Sequence, residues 1–299
     1  MSHEHHHHHE QNVNAHSLNK AFTIGIVLNL VFVFTEFGAG FWFDSLALLS
    51  DAGHNLSDVV SLILTFLAFR LEKVKANNRY TYGYKKSTIL VSLLNAVILL
   101  VAVGGILVES IDKLQHPQEV SGTSIAWVAG IGVLINGFTA FLFLKDKEKD
   151  LNIKGAYLHM AADALVSIGV LAAGIVIHYT GWYMIDPIIG IVIVVVILIS
   201  TWNLLHDSIR LSLDGVPVGM DREKVMKLLM KTAGVKDVHH LHIWAISTTE
   251  IALTTHIVVD DMNKMEDVKH RIRYEMEHCG ISHVTLEFES KDCGTRCMM

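Results

Sequence analysis

Six apolar stretches, each long enough to cross about 30 Å of hydrocarbon, dominate the first two thirds of this chain. They run near residues 21–43, 45–70, 87–110, 122–144, 155–179 and 184–206. Lipid offers the backbone no hydrogen-bond partners, so segments of this length and composition are predicted to be helices. Only 18% of the 299 residues are charged, against about 25% in soluble globular chains. The shortage is confined to the region before residue 207.

Lysine and arginine in the short loops set the orientation. Arg70, Lys73, Lys75, Arg79, Lys85 and Lys86 fall between the second and third stretches, and Lys145, Lys147, Lys149 and Lys154 between the fourth and fifth. The opposite side carries only Lys113. Both termini are therefore expected in the cytosol, and compact loops favour a bacterial cell (inner) membrane. The opening run Met1–Glu10 is hydrophilic and is not read as a signal peptide.

After residue 207 the pattern changes. Asp221–Ala233 and Met262–Cys279 have helical spacing, while Val235–Ser247, Thr249–Asp260 and Ile281–Ser290 alternate like strands. The order α-β-β-α-β predicts a small α+β domain with helices on one face of a three-stranded sheet. The expected organisation is a His-rich tail (1–20), a six-helix transmembrane domain (21–207), the α+β domain (208–290) and a Cys-containing tail (291–299). Cys279, Cys293 and Cys297 all lie in the C-terminal part. In a cytosolic domain they are reduced thiols rather than a disulfide framework. A net charge of -6 and the lack of a basic aromatic face give no support to nucleic-acid binding.

The second and fifth stretches are predicted to be the weakest by hydropathy, because each contains ionisable residues. His54 and Asp58 are spaced i, i+4, and so are His159 and Asp163. That spacing puts each pair on one helix face. An aspartate at the centre of a bilayer costs about 2.5–3.5 kcal/mol on insertion scales. Two imidazole nitrogens and two carboxylate oxygens would offset that cost by forming a tetrahedral site suited to Zn2+. The plainer reading is interhelical hydrogen bonding, and two identical pairs in two different stretches weigh against it. Asn29, Glu36, Asn95 and Asn136 are read as packing groups or partners of the ligands, with Glu36 the strongest candidate for a further ligand.

These pairs, the Asp44-Ser-Leu-Ala-Leu-Leu-Ser-Asp51-Ala run, Leu213-Asp-Gly-Val-Pro217 and Val238-His-His-Leu-His-Ile-Trp244 together resemble the cation diffusion facilitator family, and within it the zinc-transporter branch. The likeness runs from about Leu18 to Ser290. It implies a homodimer of six-span protomers in a lipid bilayer, each with a ferredoxin-like cytosolic domain. It also implies Zn2+/H+ antiport by alternating access, with Co2+ and Cd2+ as alternative substrates. Carried over by position, His54, Asp58, His159 and Asp163 match the family's transport site. The resemblance points to His239, His256 and Glu289 as a regulatory cytosolic site. Cys293 and Cys297, with His283 near in sequence, are candidates for a second one. Two features depart from relatives: loop Asn77–Lys86 contains no metal-ligating side chain, and the histidines cluster at the N-terminus. That cluster reads as a native metal-gathering tail, with an expression tag as the alternative. Two rival classes remain at this stage. A membrane metalloenzyme would need an open coordination position and a general base beside it, but four protein ligands leave no such position and no candidate nucleophile stands out. A metal sensor or storage protein would need metal sites but no flux.

Overall fold

The computed structural model describes residues 15–42, 46–116 and 122–291; the side chains of Glu36, Asp51 and His54 are among those inside helices that lie outside the description. Helices α1 (Ala15–Trp42), α2 (Leu46–Glu72), α3 (Ser87–Gln115), α4 (Gly122–Leu144), α5 (Leu151–Thr180) and α6 (Ile185–Ser212) cover the six apolar stretches. Among the described residues, four segments are long and apolar enough to cross a membrane: Ser87–Gln115, Ala126–Leu144, Leu151–Thr180 and Pro187–Ser212. Helix α1 adds a shorter apolar segment, Lys20–Thr35. Helix α2 is not among them, and the side chains of 46–54 and of Ser57 in its first half lie outside the described residues. Helix α5 qualifies despite His159 and Asp163, because the rest of its length is rich in Ala, Ile, Leu and Val.

The chain divides into two compact units. One joins Met1–Ala68 to Leu94–Trp202, and the other joins Phe69–Leu93 to Asn203–Met299. In the first unit α4 packs along α5 and against α1, and the Phe22 ring meets the rings of Phe143 and Phe66 at 4.7 and 6.1 Å. The usual distribution of side chains is inverted. Phe34, Val101, Leu134 and Ile199 are exposed, whereas Asn29, Thr65, Asn95 and Asn136 are buried. That arrangement suits hydrocarbon outside and polar contacts between helices. Helix α5 begins where Asp150 accepts hydrogen bonds from the Asn152 and Ile153 amides, and it ends at Gly181 in the left-handed region.

The second unit contains the mixed sheet. Strands β1 (Val235–Ala245) and β2 (Ile251–Val259) pair antiparallel, and β3 (His283–Glu289) runs parallel to β2. Helix α8 (Met265–His278), preceded by a 3-10 turn at Met262–Lys264, makes the crossover that a parallel pair requires. Helix α7 (Arg222–Lys231) contributes Val225 and Leu229 to one core with Val268, Ile272 and Met276 of α8. Val238, Ile243, Leu253 and Ile257 complete it from the sheet. The predicted order α-β-β-α-β is the observed one. An irregularity between His239 and His242 was not legible in the alternation: three residues of β1 advance against two of β2, and His240 adopts φ 52°. The extra residue returns Leu241 to the core side of the sheet, where it is buried.

The basic segment between α2 and α3 belongs to this second unit. Asn77 Oδ1 accepts hydrogen bonds from the Arg79 and Tyr80 amides, which tightens the turn. Gly83 has φ +69°, and a Cβ there would lie 2.8 Å from the Val74 carbonyl oxygen, so the turn admits only glycine. Lys85 Nζ lies 2.6 Å from both carboxylate oxygens of Glu250, in the β1–β2 connection. Thr249 Oγ1 donates to Glu72 Oε1 at 3.1 Å, and the Thr248 amide donates to Thr88 Oγ1 at 3.1 Å. Lys86 pairs with Asp214.

Candidate metal centre

Helices α2 and α5 each place an acidic residue one turn after a histidine, as the spacing predicts. Asp58 and His159 are 2% and 4% exposed. His159 Nε2 lies 2.5 Å from Asp58 Oδ1 and 3.9 Å from Asp163 Oδ2. One ligand atom from each of the three residues falls within 4.8 Å of the other two. Zn–N and Zn–O bonds of about 2.0–2.1 Å in a tetrahedron separate neighbouring ligand atoms by about 3.3 Å, so small side-chain shifts would bring this trio onto one ion. Asp58 Oδ2 is buried and accepts no hydrogen bond. A buried carboxylate oxygen without a partner is costly, and a cation between α2 and α5 would remove that cost. His54 lies on α2 one turn before Asp58, but its side chain is outside the described residues.

Of the polar groups expected to serve packing, Asn29 and Asn95 make hydrogen bonds between helices. Asn29 Nδ2 donates to the Gly25 carbonyl at 2.9 Å and to Thr139 Oγ1 at 3.3 Å, and lies 3.8 Å from Met160 Sδ, beside His159. Asn95 Nδ2 donates to Thr65 Oγ1 at 2.6 Å. The side chain of Glu36 lies outside the described residues.

The second unit brings together a second trio. His239 and His256 are direct partners across β1 and β2. His256 Nδ1 lies 2.8 Å from Glu289 Oε1, and His239 Nε2 lies 3.3 Å from Glu289 Oε2. Their ligand atoms also fall within 4.8 Å of one another, and all three residues are partly buried. Sequence reasoning missed Glu287, whose Oε2 lies 3.3 Å from His256 Nε2. The available signal was the strand period of two, which puts Glu287 and Glu289 on one face of β3. His283 is exposed on β3 with its ring edge-on to Tyr82 at 5.5 Å. Cys293 and Cys297 lie outside the described residues.

Two family models and several curated proteins match this chain. Residues 22–211 match the cation efflux transmembrane domain. Residues 217–291 match the cation efflux protein cytoplasmic domain. The chain is 36% identical over 285 residues to a cadmium, cobalt and zinc/H(+)-K(+) antiporter of Bacillus subtilis, covering 94% of this chain and 92% of that protein. It is 36% identical over 282 residues to the zinc transporter ZitB of Yersinia pestis, covering 93% and 90%. It is 35% identical over 279 residues to the metal cation efflux system protein CzcD of Cupriavidus metallidurans, covering 92% and 87%.

Proposed function

The chain belongs to the cation efflux family, and from that premise we propose that it exports Zn2+ from the cytosol in exchange for protons, by alternating access. Members of this family are multi-pass membrane proteins that move metal cations and are not enzymes. The observation that carries the finer reading is the buried approach of His159 to Asp58 and Asp163. His54 is assigned as the fourth ligand. An N2O2 donor set suits Zn2+ better than the oxygen cages preferred by Mg2+ and Ca2+. The relatives named for cadmium and cobalt make Cd2+ and Co2+ the alternative substrates.

Metal binding needs neutral imidazole and ionised carboxylate, so a divalent cation and protons compete for the same buried negative charge. On the cytosolic side the metal displaces the protons. On the other side protons displace the metal, and histidine is the side chain suited to that exchange near neutral pH. The His-rich N-terminal tail raises the local metal concentration at the cytosolic face. The assembly is a homodimer of six-span protomers in a bacterial inner membrane, with both termini cytosolic. The α7-β1-β2-α8-β3 order supports a ferredoxin-like cytosolic domain. In it His239, His256 and Glu289 form a metal site that regulates transport, and His283, Cys293 and Cys297 are assigned to a second. Everted vesicles with an acidic lumen should accumulate Zn2+, and an uncoupler should stop them. Zn2+ bound by the purified protein without any flux would favour a sensor or storage role instead.

A further inference from the structure

Toward its C-terminal end, α2 continues from Asp58 with polar residues on the same face. Ser61 and Thr65 follow Asp58 at i+3 and i+7, and both are buried, at 4% and 0% exposure. Four other hydroxyls in the long helices donate to the carbonyl four residues earlier: Thr35 to Val31, Thr139 to Ile135, Thr180 to Val176 and Ser212 to Ser208. The Ser61 hydroxyl forgoes that default bond and has no hydrogen-bond partner. One turn further along α2, Thr65 Oγ1 accepts a hydrogen bond from Asn95 of α3, whose own Oδ1 is buried with no partner. Together with Asp58 Oδ2, which lies beside His159 of α5, three unsatisfied buried oxygens thus lie on this face of α2 or on the α3 residue bonded to it.

In a dry helix interface each such group carries a desolvation cost of about 1–3 kcal/mol. Three in a row, within about 10 Å of helix rise, are what water-lined surfaces show and what dry interfaces avoid. We propose that Ser61, Thr65 and Asn95 line a hydrated track that links Asp58 to the side of the basic loop between α2 and α3. Hydroxyl and amide oxygens are suitable partners for a hydrated divalent cation, because they replace its outer water contacts without trapping it as carboxylates would. Exchanged protons leave by the same waters. This assignment rests on the exporter reading for what travels along the track, but the presence of water there is independent of it.

Thiol accessibility tests it in the full-length protein in everted vesicles, in a background with Cys279, Cys293 and Cys297 changed to serine. Ser61→Cys and, as a second probe, Thr65→Cys should lose their free thiol to a membrane-impermeant trimethylammonium methanethiosulfonate added to the cytosolic side. Leu62→Cys, buried on α2 next to Ser61, should keep its thiol. Zn2+ should slow labelling of Ser61→Cys. If both track cysteines are as inert as Leu62→Cys, the track is wrong. If they react and Zn2+ gives no protection, the track stands and the metal site at Asp58 and His159 fails.

Discussion

His159 Nε2 lies 2.5 Å from Asp58 Oδ1, joining α5 to α2 across 101 residues of sequence through two nearly inaccessible side chains. A buried carboxylate needs a partner of opposite charge, and a cation shared with His159 would supply one. Asp58→Ala and Asp163→Ala should each abolish Zn2+ uptake by everted vesicles under a pH gradient, while the protein still reaches the membrane. Normal uptake by either variant removes that residue from the ligand set.

Asp58→Asn gives a finer check. It keeps the shape and one acceptor but removes the negative charge that balances metal or proton. Uptake should be lost at every lumenal pH tested, whereas a residue needed only for packing would leave activity intact. Retained uptake with an ordinary pH profile would show that Asp58 is structural.

The trio in the sheet should bind metal independently of the membrane trio. At free Zn2+ about 100 times the dissociation constant, a site present only in the folded state adds about 2.7 kcal/mol of stability. Glu289→Gln should abolish that thermal stabilisation of the second unit, with His239→Ala doing the same, while Asp58→Asn leaves it unchanged. Calorimetric titration of the full-length protein would read one fewer metal per protomer in Glu289→Gln. An unaltered stoichiometry would remove Glu289 as a ligand.

What sequence made legible followed from periodicity. Six apolar lengths located α1 to α6, and the i, i+4 spacing located Asp58, His159 and Asp163, because a helix fixes which side chains share a face. His239, His256 and Glu289 came from resemblance and not from pattern, since which strands pair, and in what register, depends on contacts distant in the chain. The extra residue at His240 was hidden for a related reason: a bulge shifts the strand parity, and no local sequence rule announces it. Ser61 escaped notice because a serine inside a helix usually bonds to its own backbone, and only the packed bundle shows that it does not.

Asp221 offers a pH test outside the membrane region. Its carboxylate accepts hydrogen bonds from the Lys224 and Glu223 amides at the start of α7, with the Lys224 amide the larger cause, and its pKa falls below the ordinary 3.8. A carboxyl whose folded pKa is depressed stabilises the fold above its unfolded value, and that contribution is lost as pH falls through the folded one. Asp221→Asn keeps a capping oxygen that does not titrate. Between about pH 5 and the depressed pKa, wild type should therefore lose stability relative to Asp221→Asn. Parallel melting-temperature curves across that window would mean that the cap does not titrate with folding.

Lys85 and Glu250 supply the last test, because the Lys85 ammonium lies 2.6 Å from both carboxylate oxygens and the pair has independent hydrogen-bonded neighbours. Exposed ion pairs contribute about 0.2–1 kcal/mol. Both side chains here are about one-third exposed, at 31% and 34%, so a larger figure is not warranted. The adjacent bonds from Thr248 to Thr88 and from Thr249 to Glu72 hold the β1–β2 connection in register with the basic segment. Lys85→Glu should therefore lower the melting temperature of the full-length protein by setting two carboxylates against each other. Glu250→Lys should do the same. The charge-swapped double variant should recover most of the loss, because attraction returns with the order of the charges reversed. Additive losses in the double variant would show that the two side chains are neighbours without a favourable coupling, and that the hydroxyl and amide bonds alone hold the connection.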